Sequence, residues 1–348
     1  MKKSISLLLL IALLLSLSCS GCGCSRKKEK FSAYSFDYFD TVTIITGYET
    51  DKETFDDVSD SVMEQLEDYH TLYSIYNSFE GVNNLCALNQ LVDGVHPCLE
   101  VDPRILDMLE FALDMYELSG GRVNVAMGSV LSIWHKYRTF GMASPEDASL
   151  PSMEQLQDAA KHTSPESLVI DREKGTVWIS DPEMTLDVGA IAKGYAVEMI
   201  AQSLEEQGIT GYVLNVGGNV RTIGLRGDGT PWAVGIEDPD DPEGYREILD
   251  LSDASLVTSG SYQRYYVVDG KNYHHIIDPD TLMPAAYYVS VSIVCRSSAL
   301  ADGLSTALFS MPVEEGMALI DSLEEVEAMW VPVEGDIVYS EGFRAFCR

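Results

Sequence analysis

Two hydrophobic rhythms interleave along this chain, one of period two and one of helical spacing, and together they predict its elements. Tyr38 to Gly47 alternates as a strand, whereas Val58, Val62, Leu66 and Tyr69 recur at three and four positions and predict a helix over Thr54 to His70. Pro103 to Leu118 predicts a second helix, with Asp102 as N-cap and Gly120-Gly121 as its stop. A short helix around Trp134, from Leu131 to Tyr137, precedes a polar, proline-rich stretch over Thr139 to Pro165 with a local helix at Met153 to His162. Short strands are expected at Leu168 to Asp171 and Thr176 to Ile179, then a helix from Ile191 to Gln207 bounded by Gly208. A series of strands follows, at Gly211 to Val216, Val220 to Leu225, Trp232 to Ile236 and Arg246 to Leu251. Tyr265 to Val268 and Lys271 to Ile277 flank Asp269-Gly270, a hairpin signal because glycine tolerates the positive φ of such turns. Ser290 to Cys295, helices at Ser298 to Phe309 and Val313 to Ser322, and strands at Ala328 to Val333 and Asp336 to Tyr339 complete the body. No regular βαβ rhythm is present, so the class is α+β, with largely antiparallel sheets and packed helices.

The N-terminus has a different character. Lys2 and Lys3 precede an apolar run, Leu7 to Leu17, which is too short to remain as a span and has the order of a secretory signal. Cysteines follow at once in Ser18-Cys-Ser-Gly-Cys-Gly-Cys, which resembles a bacterial lipoprotein box with Cys22 as the lipidation site and Cys19 as the alternative. An ordinary cleaved signal peptide is the plainer reading. Lipidation predicts a signal over residues 1–21, a tether over 22–35, a body over 36–348, and a cell-membrane location on the extracytoplasmic face.

The formal net charge of −32, from 55 acidic against 23 basic residues, argues against nucleic acid, whose phosphates require many Lys and Arg contacts. An anionic ligand would need local cations, backbone N–H groups or a divalent metal. Cys86, Cys98, Cys295 and Cys347 lack Cys-x-x-Cys spacing, which argues against a zinc site, and no pairing is assigned to them.

Three segments carry candidate chemistry. In Thr185-Leu-Asp-Val-Gly-Ala-Ile-Ala-Lys-Gly-Tyr-Ala, Asp187, Gly189 and Ala190 stand at a strand-to-helix junction with exposed N–H groups, and Lys193 falls in the first helical turn. A cation there opposes the helix dipole unless an anion is nearby; a tight turn with a solvated lysine is the structural alternative. Asn215-Val-Gly-Gly-Asn reads as a hairpin and lacks the Gly-x-Gly-x-x-Gly spacing of a dinucleotide fold. Asp302 and Thr306, four apart on an apolar helix, stack a carboxylate and a hydroxyl on one face, which suits a hard cation such as Mg²⁺ or a local hydrogen bond. Tandem His274 and His275 on one strand point to opposite faces, so one can serve a site while the other meets core or solvent.

Taken in order, Phe39-Asp-Thr-Val, Asn83 to Asn89, Gly121-Arg-Val-Asn, Trp134, Asp187-Val-Gly-Ala-Ile-Ala-Lys-Gly-Tyr-Ala, Asn215-Val-Gly-Gly-Asn, Thr258-Ser-Gly, His275-Ile-Ile-Asp-Pro and Ala301-Asp-x-x-x-Thr306 resemble the FAD:protein FMN transferases, the ApbE-like family. The likeness runs from Phe36 to Leu323. It implies a two-lobed single catalytic unit that binds FAD in a cleft with Mg²⁺, cleaves it, and attaches FMN through a phosphoester to a Thr or Ser of a separate acceptor, releasing AMP. By the same resemblance the metal ligands are Asp302, Thr306, the Ala190 carbonyl and Ser305. Flavin contacts fall on Phe39, Tyr76, Arg122, Val123, Asn124, Asp187, Lys193 and Ile276, with Ser259 and Gly260 lining the same loop. His275, with a pKa expected near neutrality, is the candidate general base or positioner. The sequence departs from the family where Phe39-Asp40 replaces Met-Gly, Asn124 replaces Asp, and Gly128-Ser-Val replaces Gly-Pro-Leu. Two readings compete: an FAD pyrophosphatase releasing FMN and AMP, and a non-catalytic flavin-binding lipoprotein. The acceptor is expected to be a subunit of an exported or membrane redox complex, because the chain lacks an acceptor-like Ser/Thr-Gly-Ala-Thr segment of its own.

Overall fold

The computed structural model describes residues 27–91 and 98–348. Its strands are β1 (Glu29–Ser35), β2 (Thr43–Glu49), β3 (Leu99–Glu100), β4 (Leu168–Asp171), β5 (Thr176–Ile179), β6 (Tyr212–Val216), β7 (Asn219–Ile223), β8 (Trp232–Asp238), β9 (Asp241–Leu251), β10 (Ser255–Gly260), β11 (Tyr265–Val268), β12 (Lys271–His274), β13 (Tyr288–Cys295), β14 (Glu327–Pro332) and β15 (Val338–Tyr339). Its helices are α1 (Lys52–Tyr73), α2 (Leu85–Gln90), α3 (Pro103–Leu118), α4 (Gly128–Ala143), α5 (Met153–Ala159), α6 (Ala192–Glu206), α7 (Ser298–Phe309) and α8 (Val313–Asp321). An eight-stranded sheet in the order β1-β2-β6-β7-β10-β13-β14-β15 forms the centre. Every neighbouring pair in it is antiparallel, as the absence of a βαβ rhythm implies.

Three hydrophobic clusters organise the molecule. The largest joins one face of the sheet to α1, α3, α6 and α7 through residues such as Ile45, Leu66, Leu109, Ile200, Ile293 and Leu308. A second lies between the sheet and the β8–β9 ribbon, where Ile236, Leu249 and Leu251 meet Leu256, Val294 and Met329. β13 is therefore covered on both faces, which explains why nearly every one of its positions is buried, Ser290 and Ser292 included. The third cluster ties α4 and α5 to the β11–β12 hairpin through Trp134, Leu156, Tyr266 and Leu282.

Local signals account for most boundaries. Asp102 accepts from the Arg104 N–H at the start of α3, and Gly120 and Gly121 end that helix with φ of 59° and 86°. Gly208, with φ of 74°, ends α6. Four expectations shift. Residues 29–35, assigned to the tether, instead form β1 and pair along their whole length with β2, with Phe31 seated against Phe55 at 5.6 Å. Residues 22–26 of that tether, with the signal and Cys19 and Cys22, lie outside the described residues. The strand expected from Tyr38 begins only at Thr43, because Phe39 and Asp40 adopt left-handed backbone with φ of 53° and 51°. β12 stops at His274 rather than Ile277, and the helix around Trp134 extends to 16 residues. Cys86, Cys98, Cys295 and Cys347 are all free thiols.

Candidate active site

A cleft of about 780 Å³ opens where the sheet, the α4 cluster and the N-terminus of α6 meet. Its wall includes Tyr76, Arg122, Val123, Asn124, Asp187, Ala190, Lys193, Ser259, Gly260, His275, Ile276, Asp302 and Thr306. Residues from six separate stretches of sequence thus converge on one cavity.

The junction before α6 builds one side. Asp187 accepts from the Gly189 N–H at 2.9 Å, turning the chain so that Ala190 and Lys193 face the cavity. Asp302 of α7 approaches the same helix end and accepts the Gly194 N–H at 2.7 Å. Burial pushes the pKa of Asp302 up, opposed by the Lys193 ammonium, the Gly194 N–H and a hydrogen bond from Asn219. The cation in the first turn of α6 therefore has a buried carboxylate in its field, which answers the helix-dipole conflict expected from the sequence. Asp187 is likewise held above the usual carboxylate range by burial.

The donors suit a hard divalent cation. Asp302, Thr306 and Ala190 face the cavity, and Asn219, hydrogen-bonded to Asp302, has a buried Oδ1 without a partner among the described residues. No group of three His, Cys, Asp or Glu side chains with metal-binding geometry occurs among the described residues, so such a site would depend on neutral oxygens around one carboxylate. Ser305 departs from its expected place. Its hydroxyl lies 2.8 Å from Ser259 Oγ and donates to the Asp302 carbonyl, and it does not line the cleft. The helical period explains this, because Ser305 sits about 100° around α7 from Thr306.

The two histidines take different environments, although β12 ends at His274 and His275 lies in the bend that follows. His274 is buried, with Nε2 at 2.8 Å from the Ala285 carbonyl and its ring edge-on to Phe309. His275 faces the cleft, and its Nδ1 is buried without a partner among the described residues. The expectation of a pKa near neutrality is corrected: burial, reinforced by Arg138, Arg264, His274 and Lys193, lowers it to about 3. In the unliganded protein the imidazole is neutral, so one ring nitrogen always offers a lone pair.

Phe39 is also displaced from its expected role. Its N–H donates to His70 Nδ1 at 3.1 Å and its ring stands edge-on to His70, while Asp40, Thr41 and Val42 line the cavity instead. The left-handed backbone at 39 and 40 turns the ring away. Arg122 is held by Asp278 at 3.2 Å and Asp280 at 2.7 Å. Asn124 uses Oδ1 to cap Ala126 and Nδ2 to hold the Thr163 carbonyl, so its amide shapes the Arg122-Val123-Asn124 turn.

Residues 39–330 match the model of the ApbE family. The chain belongs to that family. The FAD:protein FMN transferase of Vibrio cholerae is 35% identical over 248 residues, covering 71% of this chain and 70% of the relative. That of Treponema pallidum is 35% identical over 263 residues, again covering 71% and 70%. The crystal structure of the ApbE protein of Thermotoga maritima matches with a TM-score of 0.80 at 27% identity, covering 92% of this chain and 100% of that one. The flavin transferase ApbE from Vibrio cholerae matches at 0.76 and 28%, covering 92% and 99%.

Within this ApbE-family cleft, sequence reasoning missed Asn219, His135, Arg138, Arg264 and Tyr262. Asn219 was visible as the last residue of Asn215-Val-Gly-Gly-Asn, but a hairpin accounts for that segment so well that nothing marked its amide. His135 and Arg138 share one face of α4 at a three-residue spacing, a signal obscured while the helix was read as ending at Tyr137.

Proposed function

We propose that this protein is an Mg²⁺-dependent FAD:protein FMN transferase that attaches FMN to a Thr or Ser of a separate exported or membrane redox protein. The observation that carries the reading is the convergence of His275 with Asp302 and Thr306 on one cavity. Asp302, Thr306, the Ala190 carbonyl and Asn219 Oδ1 would hold the Mg²⁺. When bound, that ion would neutralise phosphate charge and favour departure of the leaving group.

The chain's own residues supply the rest. Lys193 brings positive charge to the helix end that faces the phosphates, a local answer to the −32 of the whole chain. The Arg122-Val123-Asn124 turn, fixed by Asp278 and Asp280, lines the cleft beside the α6 junction, where the Asp187 N–H donates to the Val125 carbonyl at 2.8 Å. The acceptor hydroxyl oxygen forms a bond to the phosphorus of the FMN half, and the bond from that phosphorus to the bridging oxygen breaks. AMP departs with the bridging oxygen, and neutral His275 takes the hydroxyl proton. The depressed pKa makes His275 a weak base when the cleft is empty; phosphate charge beside it raises its basicity, so ligand binding itself readies the proton acceptor. The lipoprotein reading of Cys22, with Cys19 as alternative, supports attachment at the extracytoplasmic face of the membrane, near such an acceptor.

The test uses purified protein, FAD, Mg²⁺ and an exported redox protein as acceptor. The acceptor should become fluorescent in a denaturing gel as AMP appears. His275→Ala should still bind FAD but transfer about 100-fold more slowly. Transfer that persists under chelation, or in Asp302→Ala, overturns the metal assignment. Free FMN with no labelled acceptor replaces transfer by hydrolysis.

A further inference from the structure

Arginines in this chain are mostly neutralised. Arg122 is paired with Asp278 and Asp280, buried Arg221 with Glu205 at 2.7 Å, and Arg172 with Asp107 and Glu110. Arg138 and Arg264 differ. Both line the cleft, and neither forms an ion pair among the described residues, in a chain with 55 acidic side chains against 23 basic. Each uses one donor: Arg138 Nη2 lies 3.2 Å from His135 Nδ1, and Arg264 Nη2 donates to the Asp40 carbonyl at 3.3 Å.

Burial disfavours the Arg138 charge first, and the field of Arg264, which lines the same cleft, adds to this against the opposing fields of Tyr76 and Asp187. Two guanidiniums on one cleft, with no carboxylate at ion-pair distance of either among the described residues, keep donors free for an anion. Their surroundings are prepared for this. Arginine has no acceptor, so His135 Nδ1 must accept, which requires a neutral ring; burial and Arg138 itself lower the His135 pKa. Tyr76 stacks on that ring at 5.2 Å, fixing the plane that orients Arg138. The fields of Arg138, Arg264 and Lys193 all reach His275.

We infer that Arg138 and Arg264 form an anion clamp that grips the phosphate oxygens of the dinucleotide beside His275, with His135 as the positioning residue for Arg138. The clamp rests on the flavin-transferase reading for the identity of its ligand. It works without a metal, since guanidinium forks bind phosphate oxygens directly. Arg264 also bridges to the Asp40 strap, so ligand binding there would draw the 261–264 loop and the 39–42 loop together over the phosphates.

The test measures affinities for FAD and for riboflavin, which has no phosphate, by flavin fluorescence in the presence of a chelator. Wild type is compared with Arg138→Gln, Arg264→Gln and Arg138→Lys, each checked by its melting temperature. FAD affinity should fall roughly tenfold in each Gln variant, with riboflavin affinity unchanged and partial recovery in Arg138→Lys. An equal loss for riboflavin would mean that the arginines only shape the cleft, and overturns the clamp. FAD affinity within about twofold of wild type in both Gln variants also overturns it, including where the acceptor KM rises and assigns the pair to the acceptor instead. Wild type that fails to bind FAD even when Mg²⁺ is restored removes the flavin reading itself, a result distinct from wild type that binds well and variants that bind equally well.

Discussion

Asp302 illustrates how a single residue can weaken a fold in order to serve a site. Its carboxylate is buried, and its pKa is raised by that burial despite Lys193, the Gly194 N–H and Asn219. Because the folded pKa exceeds the unfolded one, the protonated form contributes stability below the ordinary carboxylate range. That contribution is lost as pH rises through the folded pKa. Asp302→Asn keeps an oxygen for Gly194 but removes the charge. The variant should therefore melt roughly 2 °C or more above wild type at neutral pH in chelator, and the difference should vanish in acid. Mg²⁺ should raise the melting temperature of wild type alone. An Asn variant that melts below wild type under chelation would show that Asp302 is structural.

At the scale of elements, the site depends on how closely α6 and α7 cross. Gly194 is the contact point: a Cβ there would stand 2.3 Å from the Asp302 Cβ and 2.5 Å from the Ser298 carbonyl oxygen. Backbone cannot yield as a side-chain tip can, so the helices would have to separate. A second tie lies along the same seam, where buried Glu198 of α6 accepts the Ser298 N–H at 2.7 Å. Beneath it Arg221 of β7 reaches Glu198 at 3.7 Å and Glu205 at 2.7 Å. Gly194→Ala should lower stability by about 1–3 kcal/mol in denaturant titration and also weaken the Mg²⁺-induced rise in melting temperature. Loss of stability with the Mg²⁺ response intact would separate the helix crossing from the cation site. Gly194 was legible only as part of a motif; its reason lies in a helix more than a hundred residues away.

For the whole molecule, the folded body begins earlier than the composition of the N-terminus implies. β1 belongs to the sheet from Glu29, and its Phe31 covers Phe55 of α1. Expressed without residues 1–28, the protein should be free of the membrane and melt like the longer form, whereas removal through Ser35 should lower the melting temperature by exposing the β2 edge. The Cys19, Cys22 and Cys24 triple Ala variant of the full chain should also lose membrane association. Unchanged membrane fractionation of that variant rules out the lipid anchor; equal melting of the two truncated forms rules out a structural role for β1.

Periodicity, capping and turn residues determined nearly every element from α3 through β15 and the α+β class, because those signals act over a few neighbouring positions. Motif order along the chain determined the family and brought thirteen of the expected site residues to one cleft, as the spatial convergence of Tyr76, Arg122, Asp187, His275 and Asp302 illustrates. Tertiary structure alone decided the rest. It turned Phe39 and Ser305 away from the cavity and gave Asn219 its open oxygen. It also lowered the His275 pKa to about 3 and left Arg138 and Arg264 without an ion pair among the described residues. Burial and electrostatic fields sum over residues distant in sequence, so no local window of the chain contains them.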